Sequence, residues 1–156
     1  MINFYEGSNP SSCIQQTISL LHIDMTNIFK DCITWKDQGC IGEAKAIYEY
    51  TRLGYIVSKP LKDCDYDLII EKNNILKRIQ VKTTIQKPKG KYFVCNLRVL
   101  GGNQSFNTAK NRNPNSYEEL FVLANNSDCW SIPTAEFVAL TTLTLDTRFN
   151  KYKIDI

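Results

Sequence analysis

The stretch from Asp63 to Thr84, DCDYDLIIEKNNILKRIQVKTT, decides the fold. Two β-rich runs flank Asn73-Asn74, a pair that tolerates left-handed backbone, and this arrangement predicts a two-residue β-hairpin. With both asparagines in the turn, Lys72 faces Ile75, which sets Asp67 opposite Gln80 and Asp65 opposite Lys82. Side chains alternate along a strand, so Asp65, Asp67, Arg78, Gln80 and Lys82 share one face. Leu68, Ile70, Ile79 and Val81 share the other, the core face. Directly opposed residues hold their β-carbons roughly 5 Å apart. Carboxylate, amide oxygen and ammonium therefore converge within reach of one ion. The alternative is a solvated face carrying cross-strand ion pairs, and the residues on either side have to separate the two.

At 156 residues, 43% of them hydrophobic, the chain is long enough for one domain with its own core. No apolar run approaches a membrane span and no basic-then-apolar leader opens the chain, so a cytoplasmic protein with no membrane partner is expected. Cys13, Cys32, Cys40, Cys64, Cys95 and Cys129 show no metal-binding spacing, which fits reduced thiols better than a zinc site. His22 is the only histidine, which argues against a His-based catalytic triad.

Net charge is only +3, yet it is unevenly spread. Between Lys72 and Tyr117 there is no Asp or Glu, while Lys77, Arg78, Lys82, Lys87, Lys89, Lys91, Arg98, Lys110 and Arg112 all fall there. A single-sign block of this kind points to a polyanionic partner, nucleic acid above all.

The N-terminal part, residues 1–35, opens with a docking or flexible end, Met1 to Pro10. It continues with Ile14, Ile18, Leu21, Ile28 and Ile33 at helical spacing, Ser12 being a candidate N-cap. Two short helices could dock on the domain or on a sister subunit, or form a helix-turn-helix. Next, GCIGEAKAIYEYTRLGY predicts a helix ending at Gly54, with Glu43 on one face with Ala46, Ile47 and Tyr50. YIVSKP, the hairpin and GKYFVCNLRVL supply strands. ELFVLA and CWSIP, joined by a turn at NNSD, close the order, with a short helix from Thr134. A mixed sheet flanked by helices, α/β or α+β, follows over residues 36–156. The polar loop 101–117 is long enough to be functional in its own right.

Gly42-Glu43-Ala44, Asp65-Tyr66-Asp67-Leu68-Ile69-Ile70 and Ile79-Gln80-Val81-Lys82-Thr83-Thr84 together resemble the PD-(D/E)xK nuclease superfamily. The similarity runs from residue 39 to about residue 133, with Tyr117-Glu118-Glu119-Leu120-Phe121 entering the next strand. It is strongest toward the small members, archaeal Holliday-junction resolvases and homing endonucleases of cyanobacterial group I introns. The resemblance implies a restriction-endonuclease-like core and a metal-dependent, sequence-specific hydrolysis of phosphodiester bonds in double-stranded DNA. A junction resolvase, or an inactive nucleic-acid-binding module, is the alternative.

By the same resemblance, Glu43, Asp67, Gln80 and Lys82 are the catalytic set. Glu43, Asp67 and Gln80 would hold one or two Mg²⁺, for which Mn²⁺ could substitute, with no small-molecule cofactor. Lys82 would act on the attacking water or on the phosphorane charge. Gln80 departs from the family's usual acid, so the metal should bind weakly before DNA arrives; Asp65 could compensate or pair with Lys82. Arg78, Lys87, Lys89, Lys91 and Arg98 are expected to grip phosphates. Asn103, Gln104, Asn107, Lys110, Asn111 and Arg112 carry groups that can read base edges. A double-strand cut needs two sites, hence a homodimer as the minimum and a homotetramer as the larger alternative.

Overall fold

The computed structural model describes residues 27–85, 90–99 and 109–155. Residues 1–26 of the expected N-terminal helices, together with Lys87, Lys89, Asn103, Gln104 and Asn107, lie outside the described residues; residues 27–34, expected to be helical, form turns instead and leave Ile33 exposed. The described part of the N-terminal segment packs on the main domain. Phe29 is buried with Ile70 and Leu123, and the Ile28 amide donates to the Asn125 carbonyl at 2.7 Å.

Helix α1 spans Trp35–Arg52. It starts earlier than the apolar pattern suggests because Thr34 and Asp37 cap each other reciprocally, satisfying amides that a helix start otherwise leaves orphaned. It ends where expected, at Gly54, whose φ of 81° lies in the left-handed region. The buried stripe is Gln38, Gly42, Ala46, Glu49 and Tyr50; Ile47, assigned to that stripe from sequence, is 38% exposed.

The strands are β1 (Ile56–Ser58), β2 (Leu68–Lys72), β3 (Ile75–Thr84), β4 (Phe93–Asn96), β5 (Glu119–Ala124), β6 (Cys129–Pro133), β7 (Thr142–Leu145) and β8 (Lys153–Ile154). Six of them form one mixed sheet in the order β1-β2-β3-β5-β6-β8. The β2–β3 hairpin has the expected register, Lys72 on Ile75 and Leu68 on Ile79. Its turn residues Asn73 and Asn74 have φ of 54° and 62°, the left-handed pair that matches the twist of the arms. β3 then runs parallel to β5, Ile79 on Glu119 through Thr84 on Ala124. The fold is thus α+β, as expected for a restriction-endonuclease-like core.

Both faces of this sheet are covered. Leu68, Ile70, Ile79, Val81, Phe121 and Leu123 pack with Ala46 and Tyr50 of α1. On the opposite face Leu120, Val122, Trp130 and Ile132 pack with Cys95, Leu97, Leu143, Leu145 and Phe149. Every residue of β5 is buried, which is why ELFVLA reads as a continuous apolar run and does not alternate.

Two expectations are corrected here. GKYFVCNLRVL does not extend the main sheet: only Phe93–Asn96 is strand, and it pairs with β7 in a separate two-stranded ribbon. The ionisable face of the hairpin is also not open throughout. The ribbon lies over it, burying Gln80 and Thr84, and the Thr84 hydroxyl donates to the Val94 carbonyl at 2.8 Å. Among the described residues the five cysteines are all free thiols, and no helix is long and apolar enough to cross a membrane.

Candidate active site

Glycine and glutamine seat α1 on the central strand. A Cβ at Gly42 would stand 2.6 Å from Thr83 Cγ2 and 3.3 Å from Val81 Cγ1, so only a bare backbone fits there. One turn earlier, the Gln38 amide donates to the Thr83 hydroxyl at 2.7 Å. This close approach carries the next residue, Glu43, to the edge of β3 and into a cleft of about 1070 Å³ that Asp67 also lines.

Asp67 precedes β2 and is fixed by its amide, which donates to the Ile79 carbonyl at 2.8 Å. Its Oδ2 accepts from the Val81 amide at 2.7 Å and from the Gln80 side-chain amide. Both bonds fall on one oxygen, which leaves Oδ1 to the cleft. Burial pushes the Asp67 carboxyl above its usual range. The Val81 N–H and the ammoniums of Lys82 and Lys59 oppose this, and the nearby Glu43 charge adds to it. Gln80 is 8% exposed and turns its nitrogen, not its oxygen, toward Asp67, donating also to the Val81 carbonyl at 3.3 Å. In this orientation it positions the carboxylate; a half-turn of the amide would present the oxygen instead. Lys82 is half-buried, its ammonium donating to the Arg98 carbonyl at 3.3 Å across the ribbon.

Lys59 joins this group although nothing in the sequence reading singled it out. It follows the last residue of β1, and its ammonium pairs with Glu43. The Glu43 carboxylate holds the Lys59 ammonium above its usual range. Lys36, Lys62, Lys110 and Asn111 line the same cleft, as does Tyr117, whose buried hydroxyl is pushed up to about 12 by desolvation. A short SKP after a strand carries no local signal of such a role, because the meeting with Glu43 depends on how α1 docks.

Other expected site residues are engaged elsewhere. Asp65 accepts from the Ser116 hydroxyl at 3.0 Å and does not pair with Lys82. Arg78 is locked to Glu118 and donates to the Asn115 carbonyl at 3.1 Å, and Lys77 pairs with Glu119. The parallel β3–β5 ladder places these glutamates, which lie just beyond the acid-free stretch, beside its bases.

Arg112 is the clearest correction. At 4% exposure its guanidinium is packed inward, 4.3 Å from the Phe137 ring centre and donating to the Ala139 carbonyl at 3.0 Å, so in this arrangement it is not open to a base edge. Lys91, Arg98 and Lys110 are exposed, Lys110 in a backbone bridge to Val99 at the cleft. Thus Glu43, Asp67, Gln80 and Lys82 are brought together, whereas Arg78 and Arg112 serve packing and pairing.

The Glu43 and Asp67 carboxylates are hard oxygen donors, suited to a cation of the Mg²⁺ type and not to a thiolate-seeking metal. No cluster of three or more His, Cys, Asp or Glu that could hold a metal occurs among the described residues. An ion held by two carboxylates would keep several waters and take further oxygens from a phosphate.

Comparison with known proteins agrees with this geometry. No curated protein sequence matches the chain. Among solved structures, the bacterial homing endonuclease I-Ssp6803I superposes with a TM-score of 0.66 at 22% identity, over 77% of this chain and 88% of that one. At that identity the likeness speaks for the fold. The model of the PD-(D/E)XK endonuclease family matches residues 33–154, from the cap of α1 to the end of β8. Helix glutamate, strand aspartate and the Gln-x-Lys of the partner strand all fall inside that match, and the chain belongs to the PD-(D/E)XK endonuclease family.

Proposed function

We propose that this endonuclease is metal-dependent and sequence-specific, cutting double-stranded DNA in the manner of a homing endonuclease. The observation that carries the reading is a desolvated Asp67 carboxylate facing a second carboxylate, Glu43, across an open cleft rimmed with lysines. Two acids so placed repel each other, and a hard cation relieves the repulsion.

Glu43 and Asp67 would hold Mg²⁺, with Gln80 keeping the Asp67 rotamer through its N–H. The bound ion would polarise the phosphate and acidify the attacking water. Lys82 rests on a single carbonyl and can donate instead to that water or to a phosphate oxygen as negative charge develops. Lys36, Lys62 and Lys110 at the cleft are placed for phosphate contacts. Asn111 stays a candidate base reader at this end of the 101–117 loop, and the exposed Asn113 joins it in place of Arg112. With one Glu43–Asp67 pair per chain, a homodimer is the smallest assembly that would cut both strands, with the N-terminal segment as its candidate contact.

The second reading, a DNA-binding module that has lost catalysis, draws on the neutral Gln80 at an acidic position of the family pattern. Incubation with a randomised duplex library in Mg²⁺ or in EDTA separates the two. Defined products in Mg²⁺ alone support the nuclease, whereas binding without cleavage in both Mg²⁺ and Mn²⁺ overturns it.

A further inference from the structure

Glu43 does not stand alone in the cleft. The Lys59 ammonium is seated on its carboxylate, reaching from the end of β1 across to α1, and both side chains line the cleft into which Asp67 points. The pair is asymmetric: the Lys59 side chain is 62% exposed and that of Glu43 26%. The lysine is therefore the partner that can leave, since its head can swing into water while the carboxylate is held by the helix.

No other acid is bonded to Lys59, and no other base is bonded to Glu43 among the described residues. The contact joins two segments that the sequence separates, so neither helix nor strand formation requires it.

We propose that Lys59 is a resident counter-ion of the cation site: its ammonium neutralises Glu43 while the site is empty and is expelled when a divalent cation binds. This rests on the reading of Glu43 and Asp67 as metal-binding residues, and adds to it a displaceable charge that lowers metal affinity. An ammonium beside two carboxylates removes the repulsion that would otherwise favour a cation, and the incoming ion must break the Lys59–Glu43 contact first. The released lysine head, left in an open basic cleft, becomes available to a phosphate oxygen.

The test titrates Mn²⁺ into the full, DNA-free chain and follows free Mn²⁺ by electron paramagnetic resonance, for wild type, Lys59→Met, Lys59→Arg and Asp67→Asn. Lys59→Met should bind Mn²⁺ about five- to tenfold more tightly, because it deletes both the competing charge and the contact to be broken. Lys59→Arg, which keeps the charge, should stay within about twofold of wild type. In parallel, amine acetylation read by mass spectrometry should label Lys59 severalfold faster once Mn²⁺ is added.

Equal or weaker Mn²⁺ binding by Lys59→Met, or Lys59 labelling that does not rise with Mn²⁺, overturns the counter-ion role. If Asp67→Asn meanwhile loses Mn²⁺ binding, the metal-site reading stands and only the lysine's part in it fails. If Asp67→Asn binds as wild type does, both fall together.

Discussion

Helix α1 carries two glutamates with partners, Glu43 and Glu49, and they live in different chemistry. Glu49 is wholly buried, and its cations come from its own helix: Lys45 at 2.7 Å on one oxygen, Arg52 at 2.8 Å on the other. Arg52 also donates to the Asp155 carbonyl at 2.8 Å, tying the helix end to the C-terminal strand. Glu43 is part-exposed, its cation comes from another segment, and a second carboxylate lies nearby. A carboxylate whose partners lie three and four residues away is closed off as soon as the helix forms. One whose partner crosses a cleft can exchange that partner for a ligand. The first fits a stabilising role, the second the role proposed for Glu43 in the site.

The largest effect that sharpens this contrast is expected at Asp67. Asp67→Asn should lower the cleavage rate at least about a thousandfold if, as proposed, Asp67 is a charged ligand of the metal. The folded-state carboxyl is raised, so its ionised form is the costly one at neutral pH. Removing the charge should therefore raise stability, by up to about 1 kcal/mol in thermal or urea melts. A variant both inactive and less stable would place Asp67 among structural acids such as Glu49.

Next comes Glu49→Ala, expected to cost about 2 kcal/mol because it deletes a buried carboxylate that ties together Lys45 and Arg52, whose own heads reach water. Burial works against the Glu49 charge, but the hydrogen bonds from Lys45 and Arg52 hold its carboxyl below the ordinary value of 4.5. A depressed carboxyl contributes stability above that value and loses it as pH falls through the folded-state value. Urea melts across this acid range should therefore show a shallower pH dependence in the variant. An equal slope in both proteins would break the assignment.

Arg112→Ala should cost about 2 kcal/mol through the lost Ala139 hydrogen bond and ring stacking. Any effect on DNA should be the same for all sequences, and relaxed preference at one base pair in a selection experiment would restore Arg112 as a reader. The smallest change in stability belongs to Glu43→Ala, about 0.5 kcal/mol or less by urea melt, because its pair with the exposed Lys59 is screened by water. A loss as large as that of Glu49→Ala would erase the distinction between the two acids.

The hairpin was legible because its information is local: two asparagines in the turn determine the register, and with it the meeting of Asp67 and Gln80. Glu43 could be read from motif order, but its distance from β3 depends on Gly42, whose role appears only when Thr83 lies against it. The basic block pointed to nucleic acid, as the nuclease family does, but not every base in it is free, because β3 and β5 are parallel neighbours. Glu118 and Glu119, just past its end, reach Arg78 and Lys77, and Arg112 turns inward onto Phe137. Likewise β4 has the pattern of a strand, but its choice of β7 as partner is a long-range decision that spacing does not encode.

That parallel ladder also orders events in time. The β2–β3 hairpin closes over two residues and can form within microseconds, whereas β3 meets β5 only after the chain from Ile85 to Glu118 has looped back. Pairing of this kind is slow, because closure entropy is lost before any contact rewards it. The nascent chain therefore acquires the Asp67–Gln80 contact early, while the ribbon that covers Gln80 and receives Lys82 arrives late. During that interval the apolar run of β5 that follows Glu119 is uncovered, so aggregation, not inactivity, is the hazard that folding of this nuclease has to outrun.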